Sequence, residues 1–129
     1  MLYSVVAICF GAIIGAIMRW LIGLYLNPIF PLIPLGTLMV NLVGGYLVGF
    51  AISFFASFPN LDPAWRLLVM TGFLGALTTF STFSAEVSSL LQQGRLFYAG
   101  GVVVLHVGGS LVLTFLGMAS FALLKSTLR

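Results

Sequence analysis

Four apolar runs, near Leu2 to Leu26, Pro34 to Ala56, Arg66 to Leu91 and Leu96 to Leu124, take up almost all of the 129 residues. Each meets or exceeds the roughly 20 residues that a helix needs to cross a bilayer. Lipid offers no partner to a backbone N–H or C=O, so spans of this length must be helices that bond within themselves. The sequence therefore predicts an all-α, multi-pass integral membrane protein of four transmembrane helices, with residues 1–129 as a single four-helix transmembrane domain. The first run exceeds the apolar core of a signal peptide and has no basic stretch before it, so it reads as helix one of the mature protein. Asn27-Pro28 with Pro31 and Pro34, the stretch Ser57 to Pro63, and Gln92-Gln93-Gly94 break the runs and imply an up-down-up-down bundle. Trp20, Tyr25, Trp65, Phe97 and Tyr98 fall near the span ends, where amphipathic rings anchor.

Charged residues make up only 5% of the chain, which leaves no basic patch for a nucleic acid. Arg66, Lys125 and Arg129 flank one side of the membrane and Arg19 and Arg95 the other, a three-to-two split that barely biases insertion. This predicts dual topology and an antiparallel homodimer, through which so short a chain acquires inverted symmetry. A single orientation set by Lys125 and Arg129 is the alternative. Cys9 is the only cysteine, so no intrachain disulfide forms, and a buried, inert thiol is expected. No His, Cys and carboxylate cluster has ligand spacing and no nucleophile has an identifiable base, which argues against an enzyme.

The third run contains Gly72-Phe73-Leu74-Gly75-Ala76-Leu77-Thr78-Thr79-Phe80-Ser81-Thr82-Phe83-Ser84, glycine-punctuated and rich in hydroxyls. Irregular backbone at membrane depth is tolerated only when buried in protein or lining an aqueous cavity, so a helix broken in mid-membrane is an ion-site hypothesis. Gly75 to Thr78 is the expected unwound stretch, with the Thr79 and Ser81 hydroxyls suited to capping the second half. Carbonyls freed at Gly75 and Thr78 suit a small hard cation such as Na⁺, and two copies on a twofold axis would supply both pairs. Phe80 and Phe83, three apart and interleaved with Thr79, Ser81 and Thr82, share a helix face. A ring has a positive edge, so rings presented edge-on can receive a small anion.

Gly11 and Gly15, like Gly45 and Gly49, lie four apart and offer smooth strips for close helix approach. Thr37 and Asn41 share the face of Gly45 and Gly49, which turns a carboxamide towards protein or water as an anion donor or as packing glue. His106, Ser110 and Thr114 recur at i+4 as a polar seam on the last helix. Such hydroxyls either pass a partly dehydrated anion along or bond back to their own helix, and His106 taken alone reads as a satisfied core histidine. Glu86 is functional if deep and hydrated if shallow. Arg19 snorkels or satisfies a loop carbonyl cluster, and a structural role is favoured.

Taken together, Gly11 to Trp20 as G-x-x-x-G-A-x-x-R-W, Asn41 in T-L-x-V-N-L-x-G, and Gly72 to Ser84 resemble the Fluc (CrcB) family of fluoride channels. The resemblance implies a fluoride-selective channel that exports F⁻ passively from bacteria across the inner (plasma) membrane, an antiparallel dual-topology homodimer with two pores, and a central structural Na⁺. It makes Asn41 a pore-lining donor, Phe80 and Phe83 the edge-on pair, Gly75 and Thr78 the Na⁺ carbonyls, and Ser110 with Thr114 a polar track that His106 continues geometrically. Two other readings compete. A proton-coupled small multidrug-type transporter would need a carboxylate in helix one, which has none. A non-transporting membrane assembly subunit would leave the Phe80 and Phe83 motif unexplained.

Overall fold

The computed structural model describes residues 1–129, and every regular element in it is helical. Helix α1 spans Leu2–Leu26 and runs into a 3₁₀ turn at Asn27–Ile29, while α2 spans Leu35–Ser57. Helix α3 covers 63–77 and α4 covers Phe80–Gln92, and the two together make the apolar stretch Pro63–Gln92. Helix α5 spans Leu96–Thr127. The chain thus has four stretches long and apolar enough to cross a membrane, as the hydropathy of the sequence requires.

Local chemistry sets the ends of these elements. Asp62 caps α3 by accepting from the Ala64 N–H at 2.9 Å, with Pro63 at the first helical position, where its missing N–H costs nothing. Helix α4 closes on Gly94, whose φ of +73° only glycine adopts freely. The Arg95 N–H then returns to the Leu90 carbonyl and the Gly94 N–H to that of Leu91, satisfying carbonyls at the helix end. Two stretches are wound as π-helix, Leu67–Leu74 within α3 and Val104–Gly108 within α5. π turns inside α-helices mark functional sites often enough to be worth following.

Packing follows the small residues. Helix α1 lies mainly on Leu67–Leu74, and α2 mainly on the Gly109–Thr127 part of α5. A methyl group added at Gly11 would stand 2.1 Å from the Leu68 carbonyl oxygen, and one at Gly49 only 1.9 Å from that of Thr114. Backbone cannot yield to that degree, so these glycines set the interhelical distance. Gly11 and Gly15 are the only buried residues of α1; its large aliphatic side chains face outwards, as lipid allows. Cys9 joins that outer face. It is exposed, which corrects the expectation of a buried thiol, because the α1 surface at this position has no helix to cover it. Val40, Ala51, Leu74 and Leu77 form one buried core, and Phe83, Leu90, Ala99 and Val102 a second.

Between α3 and α4 the backbone leaves helical geometry. Thr78 has ψ 157° and Thr79 is extended at φ −151°, ψ 118°. Gly75 to Leu77, expected to be unwound, are helical instead, and Gly75 itself holds φ −62°, ψ −34°. Glycine's freedom is not what sets the position of the turn. The Leu74 carbonyl receives both the N–H and the hydroxyl of Thr78, and the chain departs after that double bond.

Candidate functional site

The extended pair Thr78-Thr79 is held by a side chain from another helix. Asn41, in the second turn of α2, accepts the Thr79 N–H on Oδ1 at 2.8 Å and donates from Nδ2 to the Thr79 carbonyl at 2.9 Å. A carboxamide has the donor and acceptor geometry of a peptide group, so it replaces the two helical partners that Thr79 lacks. Room for this close approach comes from Gly44, where an added methyl would meet the Thr78 Cγ2 at 2.2 Å. Thr79 then caps α4, its Oγ1 accepting the Thr82 N–H at 3.2 Å. On the other side of the turn, Arg19 of α1 donates from Nε to the Ala76 carbonyl at 2.9 Å. A cation at the carbonyl end of a helix is favourable, and the carbonyl that Arg19 meets is a helical one at the end of α3 and not part of a loop cluster.

A cavity of about 410 Å³ opens beside this turn. Asn41, Thr78, Thr79, Phe80, Phe83, His106, Ser110 and Thr114 contribute to its wall, together with apolar residues and Gly45, and no carboxylate does. Phe80 and Phe83 meet edge to face, with ring centroids 5.4 Å apart and planes inclined at 67°. Their environments diverge sharply: Phe83 is 6% exposed and Phe80 74%. Phe83 is fixed from behind by the His106 ring, centroid to centroid 4.6 Å and tilted by 30°. His106 lies in the π-wound turn of α5 and is only 4% exposed, with Nδ1 at 2.9 Å from Asn41 Nδ2. The histidine that looked like an independent core residue is thus joined directly to the amide at the turn. The carboxamide that the sequence offers as an anion donor has both N–H groups engaged, one by Thr79 and one by His106.

The hydroxyl seam of α5 faces α2. Ser110 Oγ is 3.5 Å from the Asn41 carbonyl, a contact at the limit of hydrogen bonding. Thr114 Oγ1 lies 2.9 Å from the Gly45 carbonyl and 2.8 Å from that of Ser110, with one proton to share between them. Ser110 is therefore the looser hydroxyl, able to turn towards a ligand at little cost.

Thr82 faces a second cavity of about 470 Å³, on whose wall Arg19, Asn27 and Thr37 also lie. Thr79 borders both cavities. Ser81 borders neither and sits 3.3 Å from the Thr79 hydroxyl. Thr37, which spacing places only on the small face of α2, donates its hydroxyl to Glu86 Oε1 at 2.6 Å, while Glu86 Oε2 is buried without a partner. Its position one helical turn before Asn41 was the signal for that role. Gly75 lies on neither cavity wall. Its carbonyl would accept the Thr79 N–H in a continuous helix, and that of Thr78 the N–H of Thr82, but Asn41 and the Thr79 hydroxyl take those donors. Both carbonyls are released by the same two residues that shape the turn.

Backbone opened beside a cavity lined by hydroxyls and aromatic rings is the construction of a small helical protein that handles ions within the membrane. Residues 6–118 match the family described as CrcB-like protein, Camphor Resistance (CrcB), and the chain belongs to that family. It is 66% identical over 125 residues to the fluoride-specific ion channel FluC of Tolumonas auensis, covering 97% of this chain and 98% of that one. Against the protein of the same name from Pseudomonas putida the identity is 57% over 121 residues, 94% of this chain and 95% of the other. For the one from Nitrosomonas europaea it is 53% over 123 residues, 95% and 97% respectively.

Proposed function

We propose that this chain is a fluoride-selective channel that carries F⁻ passively through the bacterial inner membrane, as an antiparallel dual-topology homodimer with two pores. The observation that carries the reading is the pair Phe80 and Phe83, set edge to face on a mainly apolar cavity wall that carries hydroxyls and no carboxylate. Fluoride is small and strongly hydrated, so a pore has to replace its water by close donors, and hydroxyls and ring edges do so without a deep charge trap. A larger halide does not fit the same donors. Names shared with relatives of more than half identity over nearly the whole chain support the ion. A negative cell interior then drives F⁻ outwards at about 2.3 kcal/mol per 100 mV, so no coupling is required.

The turn at Thr78-Thr79 is, on this reading, a break at membrane depth in one span made of α3 and α4. The released carbonyls of Gly75 and Thr78 fit a hard cation, whose ligands are oxygen dipoles, and the two chains would hold one Na⁺ between them. Bound there, Na⁺ neutralises clustered dipoles and has no part in permeation. Asn41 keeps the turn open, Phe83 packs behind it, and Phe80, His106, Ser110 and Thr114 line the path of the ion.

The test is efflux from liposomes. Purified protein reconstituted in fluoride-loaded vesicles should release F⁻ electrogenically and retain Cl⁻. Equal release of both ions, or none of either, overturns the proposal.

A further inference from the structure

The buried contact between Asn41 and His106 fixes a proton. Amide nitrogen and oxygen are easily confused, but here the two Thr79 contacts decide: the Thr79 N–H needs an acceptor and its carbonyl needs a donor. Asn41 Oδ1 and Nδ2 are thereby assigned. One Nδ2 hydrogen goes to Thr79, and the other goes to His106 Nδ1 at 2.9 Å. A ring nitrogen that receives an N–H cannot carry a proton itself. The imidazole must then be neutral, with its hydrogen on Nε2. That Nε2 is buried and has no hydrogen-bond partner.

We infer that Asn41 is a positioning residue that locks His106 as the Nε2–H tautomer, making the far nitrogen of the ring a donor held ready for a small anion in the Phe83 wall. The inference rests on the fluoride-channel reading and adds the source of one donor. An unpartnered buried N–H is costly, and such a group persists where a ligand completes it. Turning the ring over would not relieve the cost, because it would set the Cδ2–H in place of Nδ1 and leave the Asn41 N–H without its acceptor. Phe83 lies across the ring face and limits tilting. The arrangement also gives Asn41 influence over the anion path without a free N–H of its own. A bond between residues 65 positions apart thus couples the backbone turn to the donor.

His106 is the only histidine, so labelling the full chain with ¹⁵N-histidine yields a single pair of ring signals in liposomes. Near neutral pH the wild type should show Nε2 protonated and Nδ1 bare. Asn41→Asp, which turns the donor into an acceptor, should move the proton to Nδ1 or protonate both nitrogens. An Nδ1-protonated wild type, or a tautomer unchanged by Asn41→Asp, overturns the inference. Should Asn41→Asp fail to fold, two substitutions at the ring decide instead. His106→Gln can keep an acceptor towards Asn41 and a donor at the far end, and should retain fluoride efflux within about threefold. His106→Phe keeps only the bulk, and should lose about tenfold or more, the scale of one bond to a charged group. Equal losses in both overturn the donor role. A wild type with no fluoride preference overturns the channel reading instead, and the ring signals still decide the tautomer.

Discussion

At the scale of single residues, Asn41 carries the most consequences. Asn41→Asp, nearly isosteric, places one carboxylate oxygen against both the Thr79 carbonyl and His106 Nδ1, where Nδ2 donated to both. Each buried group left without a partner costs about 1–3 kcal/mol, so the variant should lose thermal stability as well as fluoride efflux. Unchanged flux in purified Asn41→Asp would remove the residue from the path. Phe80→Ile keeps the apolarity and loses the ring edge; it should lower fluoride flux while leaving the melting temperature close to wild type, because Phe80 is largely exposed. Ser110→Ala should be milder in both respects, since its bond to the Asn41 carbonyl is long. The importance of Asn41 was legible from its place on the small face of α2. Its partners were not. Thr79 is 38 positions away and His106 65, and no periodicity within one helix reports a pairing across that distance.

Among elements, the turn between α3 and α4 shows where sequence reasoning succeeds and where it slips. A run of glycine, threonine and serine inside an apolar stretch announces irregular backbone, and Thr79 was identified as the start of the next helix. The expected unwinding at Gly75 did not materialise, because flexibility permits a turn without placing one. Placement came from bonds: Thr78 to the Leu74 carbonyl, Asn41 to Thr79, and Thr79 to Thr82. Thr79→Ala, which deletes the cap, should destabilise α4 by about 1 kcal/mol, read as a lower melting temperature in detergent. The glycine strips were legible outright. Gly11→Ala, with its methyl driven into the Leu68 carbonyl, should cost about 1–3 kcal/mol through separation of α1 from α3, and wild-type stability would contradict that packing.

For the whole molecule, the near balance of positive charge predicts copies in both orientations, detectable as termini reachable from either side of the membrane. Two lysines added between Asn27 and Pro34 should bias insertion and reduce the yield of working dimer. A single native orientation for every copy would refute dual topology. The proposed Na⁺ supplies a test of mechanism at the same scale: the current should reverse at the fluoride equilibrium potential whatever the sodium gradient, whereas a reversal that follows sodium would make the protein a coupled transporter. Cys9, the sole thiol, is exposed on the outer face of α1 near the start of that helix. The native chain therefore has one site for a nitroxide, at a depth set by its place in α1. Two parallel copies would hold their labels in one leaflet, while two inverted copies would hold them in opposite leaflets. Accessibility of the label to paramagnetic agents confined to the lipid or to one aqueous compartment would reveal the relative orientation of the two copies without any substitution in the sequence.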